Sequence, residues 1–125
     1  MDARKTLLIV EDDPATRDHV ASRLRDEGFA TIGVGSGEEA IPIARRARPD
    51  AILLDLGLPG IDGWETLRQL RTLGETQAIP VVLLTCRDSV DDLLRGYVNG
   101  ASYYVAKPWA ETELVRGVHM ALAEF

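Results

Sequence analysis

The stretch from Ala51 to Gly63 constrains this chain most. Ala51-Ile52-Leu53-Leu54 is apolar throughout and ends on a carboxylate, Asp55. A short run with no polar alternation is what a strand buried on both faces requires. Gly57, Pro59, Gly60 and Gly63 then force a loop. Asp55 is thereby placed at the C-terminal tip of a central strand, the edge at which open α/β sheets hold their ligands. A carboxylate there needs a partner or a metal, because burying a lone charge is unfavourable. A plain loop cap is the weaker reading of Asp55 on that ground.

The flanking sequence repeats the same alternation. Thr6 to Val10 reads as a buried strand, followed by Glu11-Asp12-Asp13-Pro14. Asp13 before Pro14 is a helix start, with Asp as N-cap and Pro at the first helical position. That helix runs to about Glu27, with Val20 and Leu24 inward, and Gly28 ends it. Ala30 to Val34 is a second strand, and Ser36-Gly37-Glu38-Glu39 has capping-box spacing for a second helix. Pro42 falls inside that helix, where proline costs roughly 3 kcal/mol. The spacing therefore predicts either a kink or a regular part that starts nearer Pro42.

Trp64 to Leu73 is predicted helical, with Leu67 and Leu70 at core spacing. Val81 to Thr85 is a further strand, and Asp88 or Ser89 caps a helix through Asn99 that Gly100 stops. Tyr103 to Ala106 is the last strand. Lys107-Pro108 follows, and Glu111 to about Glu124 is the final helix, with Leu114, Val118 and Leu122 inward. Five strands alternating with five helices imply an α/β fold: a three-layer, doubly wound (βα)5 parallel sheet. Strand order 2-1-3-4-5, the flavodoxin-like arrangement, is expected because it brings the polar strand ends together.

Size and charge narrow the function. At 125 residues, positions 1–125 are read as one domain. A formal net charge of -6 argues against direct nucleic-acid binding. No long apolar span and no signal peptide are visible, so neither a membrane partner nor export is expected. The single Cys86 excludes an intrachain disulfide and fits a reducing compartment. Cytoplasmic location is the resulting expectation.

The strand ends collect a coherent set of groups. The first supplies Glu11, Asp12 and Asp13, the third Asp55, the fourth Thr85, and the fifth Lys107. Clustered carboxylates repel one another unless a cation joins them. Hard oxygen donors without Cys or His select Mg²⁺, which takes one or two carboxylates and leaves room for a phosphate. Lys107 and Mg²⁺ would then neutralise a phosphoryl group on Asp55 from two sides. An ionised carboxylate is a competent nucleophile that forms an aspartyl phosphate, and in-line transfer needs mainly positioning and charge neutralisation.

Four segments carry a resemblance: Leu8 to Pro14, Asp55 to Gly63, Pro80 to Thr85, and Gly100 to Pro108. In this order and spacing, the chain resembles the receiver domain of bacterial two-component response regulators over essentially its whole length. The resemblance implies that Asp55 is the phosphoacceptor and that Glu11 and Asp12 are the acidic pair. It implies Asp12 as a direct Mg²⁺ ligand, Glu11 acting through water, and Asp55 and the Gly57 backbone carbonyl completing the set. It also implies Thr85 as switch hydroxyl, Tyr104 as switch aromatic and Lys107 as phosphate-binding lysine. The implied donor is a histidine kinase or histidine phosphotransfer protein, and the implied reader is a partner or output domain on the 89–125 face.

Such a protein is a signalling switch that promotes only its own phosphotransfer and dephosphorylation. The alternatives are a degenerate receiver that binds partners without phosphorylation and a small Mg²⁺-dependent phosphohydrolase. Gly57 tells against the hydrolase, which commonly has a second acid two residues after its nucleophile. Whether the receiver stands alone or belongs to a longer regulator stays open at this point.

Several positions depart from the family pattern. Cys86 replaces a smaller residue, where it would restrict access of water or small donors. Trp109 replaces a Phe and is read as core. Ser102-Tyr103 and Gly117 replace acidic and Arg positions of regulators that dimerise through the last helix-strand-helix face, which weighs against that dimer. His19, His119 and the Arg45, Arg46, Arg48 group are read as solvated.

Overall fold

Three apolar strands form the centre of the molecule. β1 (Thr6–Val10), β3 (Ala51–Asp55) and β4 (Val81–Thr85) are buried at every position except Thr6. β2 (Ala30–Val34) and β5 (Tyr103–Ala106) are more accessible, as edge strands are. All pairings are parallel, and the order is β2-β1-β3-β4-β5. The computed structural model describes residues 4–85, 94, 95, 98, 100–106 and 109–123.

Alternate strand residues face opposite layers. Leu8, Val10, Ile52, Leu54, Val81 and Leu83 pack with Ala40 and Ala44 of α2 (Gly37–Ala47) and with Leu67 and Leu70 of α3 (Gly63–Thr72). Leu7, Ile9, Leu53, Val82 and Leu84 pack with Val20 and Leu24 of α1 (Pro14–Asp26) and with Leu114 and Val118 of α4 (Glu111–Ala121). These are the three expected layers. Each fully buried leucine among them contributes about 1.5–3 kcal/mol relative to exposure.

The register positions the strand tips. Val10 lies opposite Leu54, so Glu11 leaves β1 beside Asp55. Asp55 lies opposite Leu84, and Thr85 follows one residue later, opposite Ala106 of β5.

Helix starts follow side-chain capping. Asp13, Ser36 and Asp62 accept the N–H groups of Thr16, Glu39 and Glu65 at 3.2, 3.1 and 2.9 Å. Asp13 was the predicted cap, whereas Asp62 moves the start of α3 one residue ahead of the predicted Trp64. The regular part of α2 begins at Gly37 and continues through Pro42, so the later start considered from sequence does not occur. Of the helix expected from Ser89 to Asn99, the described residues Leu94, Arg95 and Val98 are helical.

Of the side chains read as solvated, His119 differs, whereas His19, Arg45, Arg46 and Arg48 are exposed. His119 is partly buried, with its ring 5.7 Å from that of Phe29. Arg45 pairs with Glu75 at 3.0 Å. His19 is exposed but lies 3.0 Å from Glu111, tying α1 to the start of α4. Trp109 packs, partly buried, against the α1–α4 layer. Among the described residues, no helix is long and apolar enough to cross a membrane.

Candidate functional site

Three consecutive acids leave β1 with three different fates. The Glu11 N–H donates to the Val34 carbonyl at 3.1 Å, and its own carbonyl accepts from Arg17 Nη1 at 2.8 Å. This fixed backbone turns the Glu11 side chain inward, where it is 3% exposed and Oε1 accepts the Asp13 N–H at 3.3 Å. Asp12 is exposed. Asp13 turns to α1, where its Oδ2 accepts from both the N–H and the hydroxyl of Thr16.

Asp55 is 6% exposed at the end of β3, and its Oδ1 accepts the Gly57 N–H at 3.1 Å. Thr85, 2% exposed, occupies the end of the neighbouring strand. Carboxylate oxygens of Glu11, Asp12 and Asp55 lie within 4.8 Å of one another. Oxygens sharing one Mg²⁺ stand about 3 Å apart when adjacent and about 4 Å when opposite. The spacing is compatible with a shared hard cation, and two buried carboxylates side by side favour such neutralisation.

The acids line a cleft of about 500 Å³, together with Asp13, Thr16, Leu56, Gly57, Asp62, Trp64 and Thr85. The structure thus brings Glu11, Asp12, Asp55, Gly57 and Thr85 together. Tyr104 lies on β5 opposite Leu83 and packs, partly buried, against the α2–α3 layer, away from the cleft lining. Lys107 and Cys86 lie outside the described residues.

Sequence reasoning missed Asp62 as part of the cleft and of the α3 cap. Its signal was an Asp directly before a helix, obscured by Gly63 at the first helical position. That glycine answers a packing demand: a Cβ there would lie 2.5 Å from Leu56 Cα and 2.6 Å from the Asp55 carbonyl. Trp64 is also a cleft residue, and the Arg95 guanidinium sits 4.5 Å from its ring centroid. That separation is a cation–π contact.

Residues 7–119 match the response regulator receiver domain. The chain is 40% identical over 119 residues to the DNA-binding response regulator MtrA of Mycolicibacterium smegmatis, covering 95% of this chain and 51% of that protein. It spans about half the length of the curated relatives it matches.

Among solved structures, the receiver domain of a sensor histidine kinase of Pseudomonas aeruginosa superposes with a TM-score of 0.88 at 31% identity. The match covers 98% of this chain and 100% of that one, which has a magnesium ion coordinated in its active-site cleft. The chemotaxis response regulator CheY4 of Vibrio cholerae gives 0.90 at 26% identity, covering 95% and 99%. With a match that runs from β1 into α4, and solved relatives that superpose over nearly its whole length, the chain belongs to the response regulator receiver domain family.

Proposed function

We propose that this chain is a phosphorylatable switch in which Asp55 accepts a phosphoryl group from a histidine kinase or histidine phosphotransfer protein. The observation that carries the reading is a nearly buried Asp55 whose carboxylate lies within 4.8 Å of those of Glu11 and Asp12, in an open cleft beside Thr85. In the transfer, an Asp55 carboxylate oxygen forms the new bond to phosphorus as the bond to the donor's nitrogen breaks. The leaving imidazole keeps the electron pair and regains a proton.

Asp12, Asp55 and the Gly57 carbonyl would hold Mg²⁺, with Glu11 acting through water. When bound, the ion supplies charge neutralisation at the phosphoryl oxygens. Lys107 is assigned to the opposite side of that group.

The product adds up to two negative charges and strong acceptor oxygens at the strand tips. Thr85 carries the neighbouring hydroxyl and would donate to those oxygens. Its displacement would open space for Tyr104, so a local charge biases a two-state element. Partners or an output domain would read the change on the 89–125 face. We assign residues 1–125 to one receiver domain, acting in the cytoplasm without direct nucleic-acid contact of its own. Its chemistry is limited to its own phosphotransfer and dephosphorylation.

Treatment with a small phosphodonor and Mg²⁺, followed by intact-mass measurement, tests this reading. One phosphoryl adduct per chain is expected, absent when the metal is chelated. Sustained donor hydrolysis with no adduct would identify a hydrolase instead.

A further inference from the structure

Glu38 lies in the first turn of α2, on an element that supplies nothing to the cleft lining. An acidic residue there suits the helix dipole, which by itself explains a glutamate at this position. Its contact goes further. Glu38 Oε2 accepts the N–H of Ile61 at 3.2 Å, across 23 residues of sequence. The bond joins α2 to the middle of the loop between β3 and α3.

Two glycines show how closely these parts are pressed together. Gly60 has a φ of +71°, and a Cβ there would come within 3.1 Å of Glu38 Oε1 and closer still to Oε2. Gly37, beside Glu38 in the helix, faces α3 and the same loop: a Cβ there would meet Thr66 Oγ1 first and lie 2.9 Å from Ile61 Cγ1. The carboxylate thus rests against Gly60, whose backbone lies in the left-handed region that glycine favours.

The gripped loop carries what the site uses. Its near end holds Gly57, whose N–H binds Asp55 Oδ1. Its far end holds Asp62, and Trp64 follows in the first turn of α3; both line the cleft.

We propose that Glu38 is a positioning residue for the Mg²⁺ site: by holding Ile61 it fixes the loop that presents the Gly57 carbonyl. This rests on the metal reading given above. Groups that orient ligands from outside the coordination sphere typically change metal affinity tenfold or more when removed. Glu38 also carries a charge, and its removal alone would weaken cation binding somewhat. Glutamine separates the two effects, because it retains the acceptor oxygen without the charge.

The test is a Mg²⁺ titration of the full chain by amide NMR, following Gly57 and the Trp64 indole, in wild type, Glu38→Ala and Glu38→Gln. Glu38→Ala should bind Mg²⁺ about tenfold more weakly. Glu38→Gln should recover most of that loss. Phosphoryl incorporation from a small donor should be slower in Glu38→Ala at low Mg²⁺ and regain the wild-type rate at saturation. Equal affinities in wild type and Glu38→Ala would overturn the proposal. Glu38→Gln binding as weakly as Glu38→Ala would overturn it too, by assigning the effect to charge. A wild-type protein that shows no Mg²⁺ response at all would overturn the metal reading, and this inference with it.

Discussion

At the scale of single residues, the acidic run shows how backbone context divides identical chemistry. Glu11 is buried by its ladder bond to Val34, Asp13 is committed to capping α1, and Asp12 is exposed beside the other two carboxylates of the cluster. Asp12→Ala should therefore abolish Mg²⁺-dependent phosphoryl incorporation. In metal-free buffer it should leave stability unchanged or raised by up to about 1 kcal/mol, since a like charge leaves the cluster. Urea unfolding without Mg²⁺ checks the second part, and a clear loss of stability would assign Asp12 a structural role.

The division was largely legible in the sequence. Pro14 marked Asp13 as the cap of α1, in agreement with the family resemblance, which implies Glu11 and Asp12 as the acidic pair. Asp62 was not legible, because Gly63 reads as loop until the approach of the Leu56 backbone is known. Glu38 was equally hidden, since its contact depends on tertiary placement of a loop 23 residues away.

At the scale of elements, α2 and α3 show where local rules yield. Proline inside a helix is unfavourable, yet α2 runs through Pro42. Ala40 and Ala44 on either side of it are fully buried against the sheet, and Ser36 caps the start. Packing of that face outweighs one missing backbone bond, which no local pattern could reveal.

In α3, Arg68 bonds Glu65 through Nε at 2.9 Å, and Gln69 adds a bond at 2.8 Å. The Arg68 hydrogen bond, then that from Gln69, lowers the Glu65 carboxyl from its ordinary range to about 2. A depressed folded-state value means that the contribution is present above the ordinary carboxylate range and is lost as pH falls toward about 2. The group is partly exposed, so salt should weaken the effect. Carboxyl NMR should find Glu65 titrating near 2 in low salt and closer to its ordinary value in Arg68→Ala. An unchanged midpoint in that variant would contradict the assignment.

At the scale of the whole molecule, the sheet order follows from where polarity falls along the chain. Each strand's apolar run ends on polar residues at its C-terminal end in β1, β3 and β4, and order 2-1-3-4-5 brings those ends to one edge. That logic made the layers and the strand-tip residues of the cleft legible in the sequence. The contact of Arg95 with Trp64 was not legible, because cation–π pairs carry no spacing signature; it links the cleft wall to the segment between β4 and β5.

Asp55 is the proposed phosphoacceptor. Asp55→Asn keeps the size of the side chain and an oxygen to accept the Gly57 N–H, while removing the nucleophile. Wild type and Asp55→Asn should therefore be treated with the same small phosphodonor and Mg²⁺ and weighed intact. One phosphoryl group is expected on wild type, mapped to Asp55, and none on a folded Asp55→Asn protein. A variant that still gains a phosphoryl group at the wild-type rate would contradict that assignment.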